Sequence, residues 1–465
     1  MVGQHKPTIL APPGEPEPSL LKLPDTDKAL DLATPPPGDG LDDVVRDSVV
    51  RQQVTWPTPW LDQPQQSNTI AYTHTASGWR AAELKDPAAA ITPDNFTTLT
   101  RAPINLSAPV LLETVAIAKP WGQELWFSGI EQRGESTICQ GTSRLPLSSY
   151  LALAPQRLVG RLTPMLLKIL DPYPTPETGA LYFETHNKKR EVYVVTHINP
   201  VAWPEGIGAI RLGMNQQLRA TYNNDEQFRA AYLEAVQRYE QVRRSIDHPS
   251  TTNDDPKLHN EEQARRADME AFTAQHSLEV GDVVQVAPHT PHSLQHGVRV
   301  FEFQTPTYER NIISFNQQVL TQDHWDSSYA ITNMTLDAPD AAPPETLHNT
   351  PAQQVERIVD FDEFSVQRLT LAGNARSEAA TASAPCEFLL DDTNNYQMIA
   401  IISGKLRVHT QAGSLELSAN STQSAALIPA CALDAKIVPL SAKTQLLLAR
   451  PKPDVPAKIA FTQSI

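Results

Sequence analysis

The hydrophobic positions change period along the chain, and those changes divide it. Between about 110 and 330 the apolar runs are short and β-branched, as in Val192-Tyr-Val-Val195, and turn signals separate them, which predicts strands. One stretch breaks the pattern. Phe228, Tyr232, Val236, Tyr239 and Val242 recur at helical spacing behind Asn224 and Gln227, a pair spaced as a capping box. This stripe of large apolar side chains reads as core packing rather than as a cofactor surface. A second helix is predicted from Asn260 to Gln275, with Ala264, Ala267, Ala271 and Phe272 inward. Asp247 to Pro256 then forms a polar loop between the helices. From about 355 to 455 short strands return, and Tyr396 to Thr410 reads as strand, turn at Gly404, strand. Leu427-Ile-Pro429-Ala echoes Val286-Ala-Pro288-His, so the two β units look like weak internal repeats.

Proline placement sharpens the boundaries. Of the 40 prolines, nine fall in the first forty residues, a stretch with little to bury. Residues 1–45 are therefore expected as an extended or disordered Pro-rich arm. Residues 46–111 are expected as an N-terminal extension, partly packed because of Trp56, Trp60 and Trp79. Residues 112–335 form the first β unit, with the helical insert at about 222–276. The Pro/Ala-rich stretch around Ala338–Glu345 marks a linker over 336–352, and 353–465 form the second β unit.

Composition narrows the function classes. A net charge of -15 and a pI near 5.3 argue against a nucleic-acid partner, which wants a basic stripe. Cys139, Cys386 and Cys431 are too few and too scattered for a disulfide framework, and no C-x-x-C occurs. The start, Met1-Val-Gly-Gln-His-Lys-Pro, lacks the apolar core of a signal peptide, and no run of about 18 apolar residues marks a membrane span. A cytoplasmic protein with no membrane partner is expected.

Candidate chemistry lies in two segments. In Phe183-Glu184-Thr-His186, residues i and i+2 of an extended chain put Glu184 and His186 on one face. Glu191 opens the β-branched run that follows. In Pro288-His-Thr-Pro291-His292, His292 comes just after a tight Pro-containing turn. Singly, each of these four is an ordinary solvated or hydrogen-bonded group. Together they offer the imidazole and carboxylate mix that a divalent cation takes, with a position left for water or substrate. His289 and His296 are expected outside that set. The second β unit has no such cluster, since His409 stands alone, and it is expected to bind no metal.

The conjunction, acid-x-His-x4-Glu followed by Gly-x6-Pro-x3-His, resembles the two motifs of the cupin superfamily, with Glu184 where the first His often stands. A longer collinear set is similar to type I mannose-6-phosphate isomerases, from about residue 112 to the C-terminus. It comprises Lys119-Pro-Trp-Gly122, Gly134-Glu-Ser136, Met165-Leu-Leu-Lys168-Ile-Leu-Asp171, Glu184-Thr-His186, Lys189-Arg-Glu191, Ala209-Ile-Arg-Leu-Gly213, Pro288-x-x-Pro-His292 and Phe301-Glu-Phe-Gln304. The resemblance implies a mainly β fold of two cupin-type jelly-roll barrels, the first with the helical insert. It implies zinc, or another divalent ion, on Glu184, His186, Glu191 and His292, and interconversion of mannose 6-phosphate and fructose 6-phosphate. The chain departs from the family in three places. Glu184 stands for a Gln, the gap from His186 to Glu191 is short, and Thr307-Tyr-Glu-Arg310 carries one extra residue. The family resemblance leaves two alternatives standing: another sugar or sugar-phosphate isomerase on the same scaffold, or a carbohydrate-binding or regulatory cupin without turnover.

Three cations are candidates for the catalytic and substrate-binding roles. Lys168 sits in an otherwise apolar strand, where a Lys either faces a polar cavity or reaches out at a rim. Lys189 lies two residues before Glu191 and shares its face if the segment is extended. Arg310 has the fork that clamps phosphate, though a surface Arg is the commoner case. The general base stays open among Lys168, Lys189, Glu309 and a metal-bound water.

Overall fold

Among the described residues every strand pairing is antiparallel, and all strands but one short hairpin, Ile130–Glu131 with Gly134–Glu135, sort into two face-to-face sandwiches and an N-terminal sheet. The computed structural model describes residues 48–55, 67–131, 133–159, 164–247, 256–307, 309–314, 325–339, 342–373, 386–390, 395–419 and 421–452. The expected arm 1–45, Trp56, Trp60 and nearly all of the loop between the helices lie outside them. Among the described residues no helix is long and apolar enough to cross a membrane.

The first sandwich packs a six-stranded sheet on a five-stranded one. In the six-stranded sheet, Glu191–Ile198 pairs with Val283–Val286 on one side and Val298–Gln304 on the other. Val298–Gln304 then pairs with Leu166–Pro172, and the hairpin Val115–Lys119 and Gly122–Trp126 follows. The hairpin turns at Gly122, whose φ is 148° and where a Cβ would meet Asp171 O at 2.3 Å. Only glycine allows that approach. The five-stranded sheet runs Thr273–Leu278, Gly208–Met214, His292–Leu294, Phe183–Thr185, Asn311–Ser314.

Val192 to Val195 are all buried because both sheet faces are covered. Val192 and Val194 join Leu167, Ile169, Phe301 and Phe303 in the core shared with the C-terminal unit. Tyr193 and Val195 face the five-stranded sheet and the helices. Each large apolar side chain so buried contributes about 1.5–3 kcal/mol.

The helical insert has Asp225–Asp247 as its long element, and Asn224 caps it: Gln227 N donates to Asn224 Oδ1 at 2.9 Å. Only half of the expected capping box forms, since Gln227 Oε1 accepts from Asn223 Nδ2. Phe228, Tyr232, Val236 and Tyr239 are fully buried, as their spacing predicts. The second helix is corrected. It spans Pro256–Glu270, and Thr273–Leu278 is a strand. Ala264, Ala267 and Ala271 are exposed, while Glu262 and Met269 are buried. Glu262 is buried because Arg266 and Arg243 pair with it, Arg243 Nη1 at 3.7 Å. An inward face closed by ion pairs leaves no hydrophobic period to read.

The second sandwich packs the sheet Phe388–Leu389, Lys436–Pro439, Lys405–Thr410, Gly413–Ser418 on a nine-stranded sheet. The nine-stranded sheet departs from the expected boundaries. Val110–Glu113 spans the 111/112 division and pairs with Ala425–Ile428, Leu111 opposite Ala426. Thr137–Gln140 and Ser143–Pro146 extend the same sheet. At its other edge Glu345–Asn349, inside the expected linker, pairs with Gln353–Asp360. The two expected barrels are not closed: among the described residues, in no sheet do the two edge strands pair. Both are open sandwiches, and the sheet of the second runs on to take strands from residues 110–146.

The described residues of the N-terminal extension form a sheet of their own. Val49–Thr55, Ser67–Thr75, Gly78–Leu84 and Thr100–Asn105 form a meander. Tyr72 is fully buried and its hydroxyl donates to Leu153 O at 2.7 Å. Trp79 is buried in the same core.

Candidate metal centre

The two motif segments meet in the five-stranded sheet. Glu184 and His292 are direct cross-strand partners. His186 lies just past the end of its strand, on Glu184's face, and its Nε2 is 3.6 Å from Glu184 Oε1. The Pro288–Pro291 turn is tied back to this segment. His289 holds a left-handed φ of 63°, its N–H donates to His186 O at 2.6 Å, and its carbonyl accepts from Thr335 N at 2.8 Å. Glu191, from the facing sheet, lies against both imidazoles but outside the group of three whose donor atoms are all in mutual reach. Its Oε1 is 3.4 Å from His186 Nε2 and its Oε2 is 3.2 Å from His292 Nε2.

One donor atom from each of Glu184, His186 and His292 lies within 4.8 Å of the others. His186, Glu191 and His292 are buried; Glu184 is partly open. Glu184 Oε2, His186 Nε2 and His292 Nε2 are buried without an aligned hydrogen-bond partner. The two imidazole nitrogens stand near Glu191 yet point elsewhere. Three such atoms are costly to bury unless something polar sits among them. A divalent ion bound by imidazole and carboxylate fits that requirement. The tautomer of His292 fits it too. Nδ1 lies 2.9 Å from Thr290 O, a pure acceptor, so Nδ1 carries a proton, and in the neutral ring Nε2 keeps its lone pair. His289 and His296 do not join this group. His296 stacks on Trp203, with ring centroids 4.6 Å apart.

Beside the cluster, buried charges run across one face of the six-stranded sheet. Lys189 Nζ is 2.6 Å from Glu191 Oε1, and Tyr193 OH donates to Glu191 Oε2 at 2.6 Å. Lys168 lies opposite Glu302 across the strand pair, Nζ to Oε2 3.2 Å, and 3.8 Å from Glu124 Oε2. Lys119 lies 3.9 Å from Glu124 on the far side, and Trp126 Nε1 donates to Glu124 at 2.6 Å. Burial pushes each carboxyl up, and neighbours decide the outcome. For Glu191 the Lys189 ammonium, then His186, outweigh burial and hold it well below the usual range. For Glu302 burial and the Glu191 charge add, and it lies well above. Burial alone would lower Lys168, but Glu124, Glu302 and Glu191 raise it and keep it charged.

The structure thus brings Glu184, His186, Glu191, His292 and Lys189 together and places Lys168 inward beside Glu302 rather than at a rim. Arg310 is half-buried, its guanidinium 4.9 Å from the centroid of the Tyr182 ring. Glu309 braces the loop before Glu191, its Oε1 accepting from Lys188 N and from Lys189 N, the latter at 2.9 Å. Tyr193 and Glu124 were not singled out from sequence. For Tyr193 the signal was present, since i+2 from Glu191 shares its face. Glu124 gave none, because its partners come from other strands.

No family model matches the chain, and no curated protein sequence matches it. Solved structures share its fold. The mannose 6-phosphate isomerase of Bacillus subtilis is 15% identical, with 74% of this chain and 99% of that chain covered at a TM-score of 0.53. A variant phosphomannose isomerase from Salmonella typhimurium is 12% identical, with 74% and 100% covered at 0.52. A mannose 6-phosphate isomerase bound with zinc and yttrium is 11% identical, with 74% and 100% covered at 0.51. Likeness at such identities establishes the fold and nothing finer.

Proposed function

We propose that the chain is a metal-dependent aldose–ketose isomerase acting on a sugar phosphate, with mannose 6-phosphate and fructose 6-phosphate as the pair and zinc as the ion. The observation that carries this reading is the convergence of three partnerless buried donors, on Glu184, His186 and His292, beside Glu191 and the two buried lysines. The solved structures of like fold, among them mannose 6-phosphate isomerases, support the substrate class.

Glu184, His186, Glu191 and His292 would hold the ion, which when bound supplies Lewis acidity to the sugar's oxygens. The chain's own residues do the rest. Glu191 is kept ionised by Lys189 and is held in orientation by Tyr193. Lys168, held charged by its carboxylates, is a fixed cation and not a base. Fixed cations beside the reacting carbons stabilise negative charge that develops only in the transition state. Arg310 is the proposed phosphate clamp, and the phosphate would anchor the substrate so that C1 and C2 are oriented at the centre. Glu184, a carboxylate in place of an amide, adds negative charge to the centre.

One observation favours a carbohydrate-binding protein without turnover: both lysines are already paired with carboxylates. Zinc-replete protein incubated with mannose 6-phosphate decides between them. Fructose 6-phosphate should form, with unphosphorylated mannose a far poorer substrate. Protein that binds zinc and sugar but turns over no phosphorylated aldose belongs to the second reading.

A further inference from the structure

We infer that Arg190 is a positioning residue through which the C-terminal unit holds Lys189 and Glu191 in the site. Its role rests on the reading of Glu191 as a site residue given above. Successive residues of an extended segment point to opposite sides. Lys189 and Glu191 turn into the cluster and pair there. Arg190, between them, turns the other way. Its Nε lies 3.1 Å from Glu363 Oε2, its Nη2 3.6 Å from Asp362 Oδ2, and its guanidinium carbon 5.6 Å from the centroid of the Phe361 ring.

These three partners form the turn between Gln353–Asp360 and Phe364–Ala372, two strands of the C-terminal sheet. The turn is itself well anchored. Phe361 N donates to Phe364 O and Lys452 N to Glu363 O, each at 2.9 Å, and the two phenylalanine rings meet edge to face. On the other side the Arg190 backbone is pinned to Thr305, giving its N–H to Thr305 Oγ1 and its carbonyl to Thr305 N, each at 3.1 Å. Arg190 and Glu363 side chains are 28% and 27% exposed, whereas Asp362 is 89% exposed. Glu363 and Phe361 therefore carry the anchor, and Asp362 adds little.

Glu191 is the first residue of its strand, and before it the backbone is held by Thr305 at Arg190 and by Glu309 at Lys188 and Lys189. The Glu191 carboxylate is held directly by Lys189 Nζ and Tyr193 OH, each at 2.6 Å, and the segment before it sets where both Lys189 and Glu191 start. Arg190 fixes it from behind. Arg190 is thus one route by which the C-terminal unit reaches the site.

The test uses the full-length protein with Arg190→Met, Glu363→Gln, Asp362→Asn and the swap Arg190→Glu with Glu363→Arg. Zinc affinity is read by competition with a chromogenic chelator, and hydrogen exchange is read on the 187–195 backbone. Arg190→Met and Glu363→Gln should each weaken zinc binding about tenfold, the lower end for groups that orient a ligand, and speed exchange at 187–191. Asp362→Asn should change neither, and the swap should recover much of the affinity. Variants that lose melting temperature but keep wild-type zinc affinity and exchange would overturn the role. If Arg190→Met does not fold, Glu363→Gln, which keeps its volume, decides alone. Wild type that binds no zinc would overturn the metal reading instead, and exchange at 187–191 would still decide for or against Arg190.

Discussion

Glu184 and His292 face each other directly across one strand pair, although they come from segments on either side of the helical insert. Register alone therefore brings a carboxylate and an imidazole together. His292→Ala should abolish zinc binding and turnover, because it removes a donor whose Nε2 is already stripped of other partners. His289→Ala and His296→Ala should keep about one equivalent of zinc, as structural sites do when their donor set is intact. Zinc content by atomic absorption on gel-filtered protein checks all three. An unchanged content in His292→Ala would refute the site.

The C-terminal unit is expected to hold no metal. His292→Ala offers the cleaner measurement here, since removing residues 355–465 would strip Val110–Glu113 of its partner strand. Tightly held zinc that survives in His292→Ala and disappears in His409→Ala would show a second site.

Lys168→Met should leave zinc in place and lower kcat by about 100-fold or more, the scale of a lost charge-stabilising group. It should also lower stability by about 3 kcal/mol, because the buried Glu124 carboxylate keeps only Lys119 of its two cations. Kinetics on the folded, zinc-loaded fraction separate the two effects. Activity equal to wild type would remove Lys168 from the chemistry.

Glu124 gives a pH prediction with a definite sign. Burial pushes its carboxyl up, but Lys168, Lys119 and Trp126 hold it down to about 2 against 4.5 for a free group. A lowered carboxyl stabilises the fold above the free value and loses that contribution as pH falls from 4.5 toward 2. The contribution is roughly 3 kcal/mol at most, at about 1.36 kcal/mol for each tenfold change in proton affinity. Melting temperature should fall more steeply over this window in wild type than in Glu124→Gln. Parallel curves would show that Glu124 is not held down in the folded state.

What could be read from sequence was whatever depends on neighbours in the chain. Glu184 and His186 share a face by alternation, His292 follows a proline-framed turn, and Phe228 to Val242 mark their helix by spacing. What depends on long-range pairing stayed hidden. Glu262 is inward because Arg243 comes from another helix, and the alanines expected inward merely favour helix on an exposed face. Glu124 and Lys119 join the buried charge row only through register with Lys168. The continuation of the second sandwich's sheet into residues 110–146 rests on Leu111 meeting Ala426, which no local pattern announces.

That last pairing sets an order of events in the making of the molecule. Val110–Glu113 is joined in the sheet on one side by Thr137–Gln140, available soon after it in synthesis, and on the other by Ala425–Ile428, which arrives far later. Loop closure over such a separation is slow, and the unpaired edge can recruit other chains meanwhile. A ribosome that has finished both motif segments has therefore not finished the sheet behind them. Val192, Val194, Phe301 and Phe303 wait for Leu427, Leu447 and Ala449 before their outer face is dry.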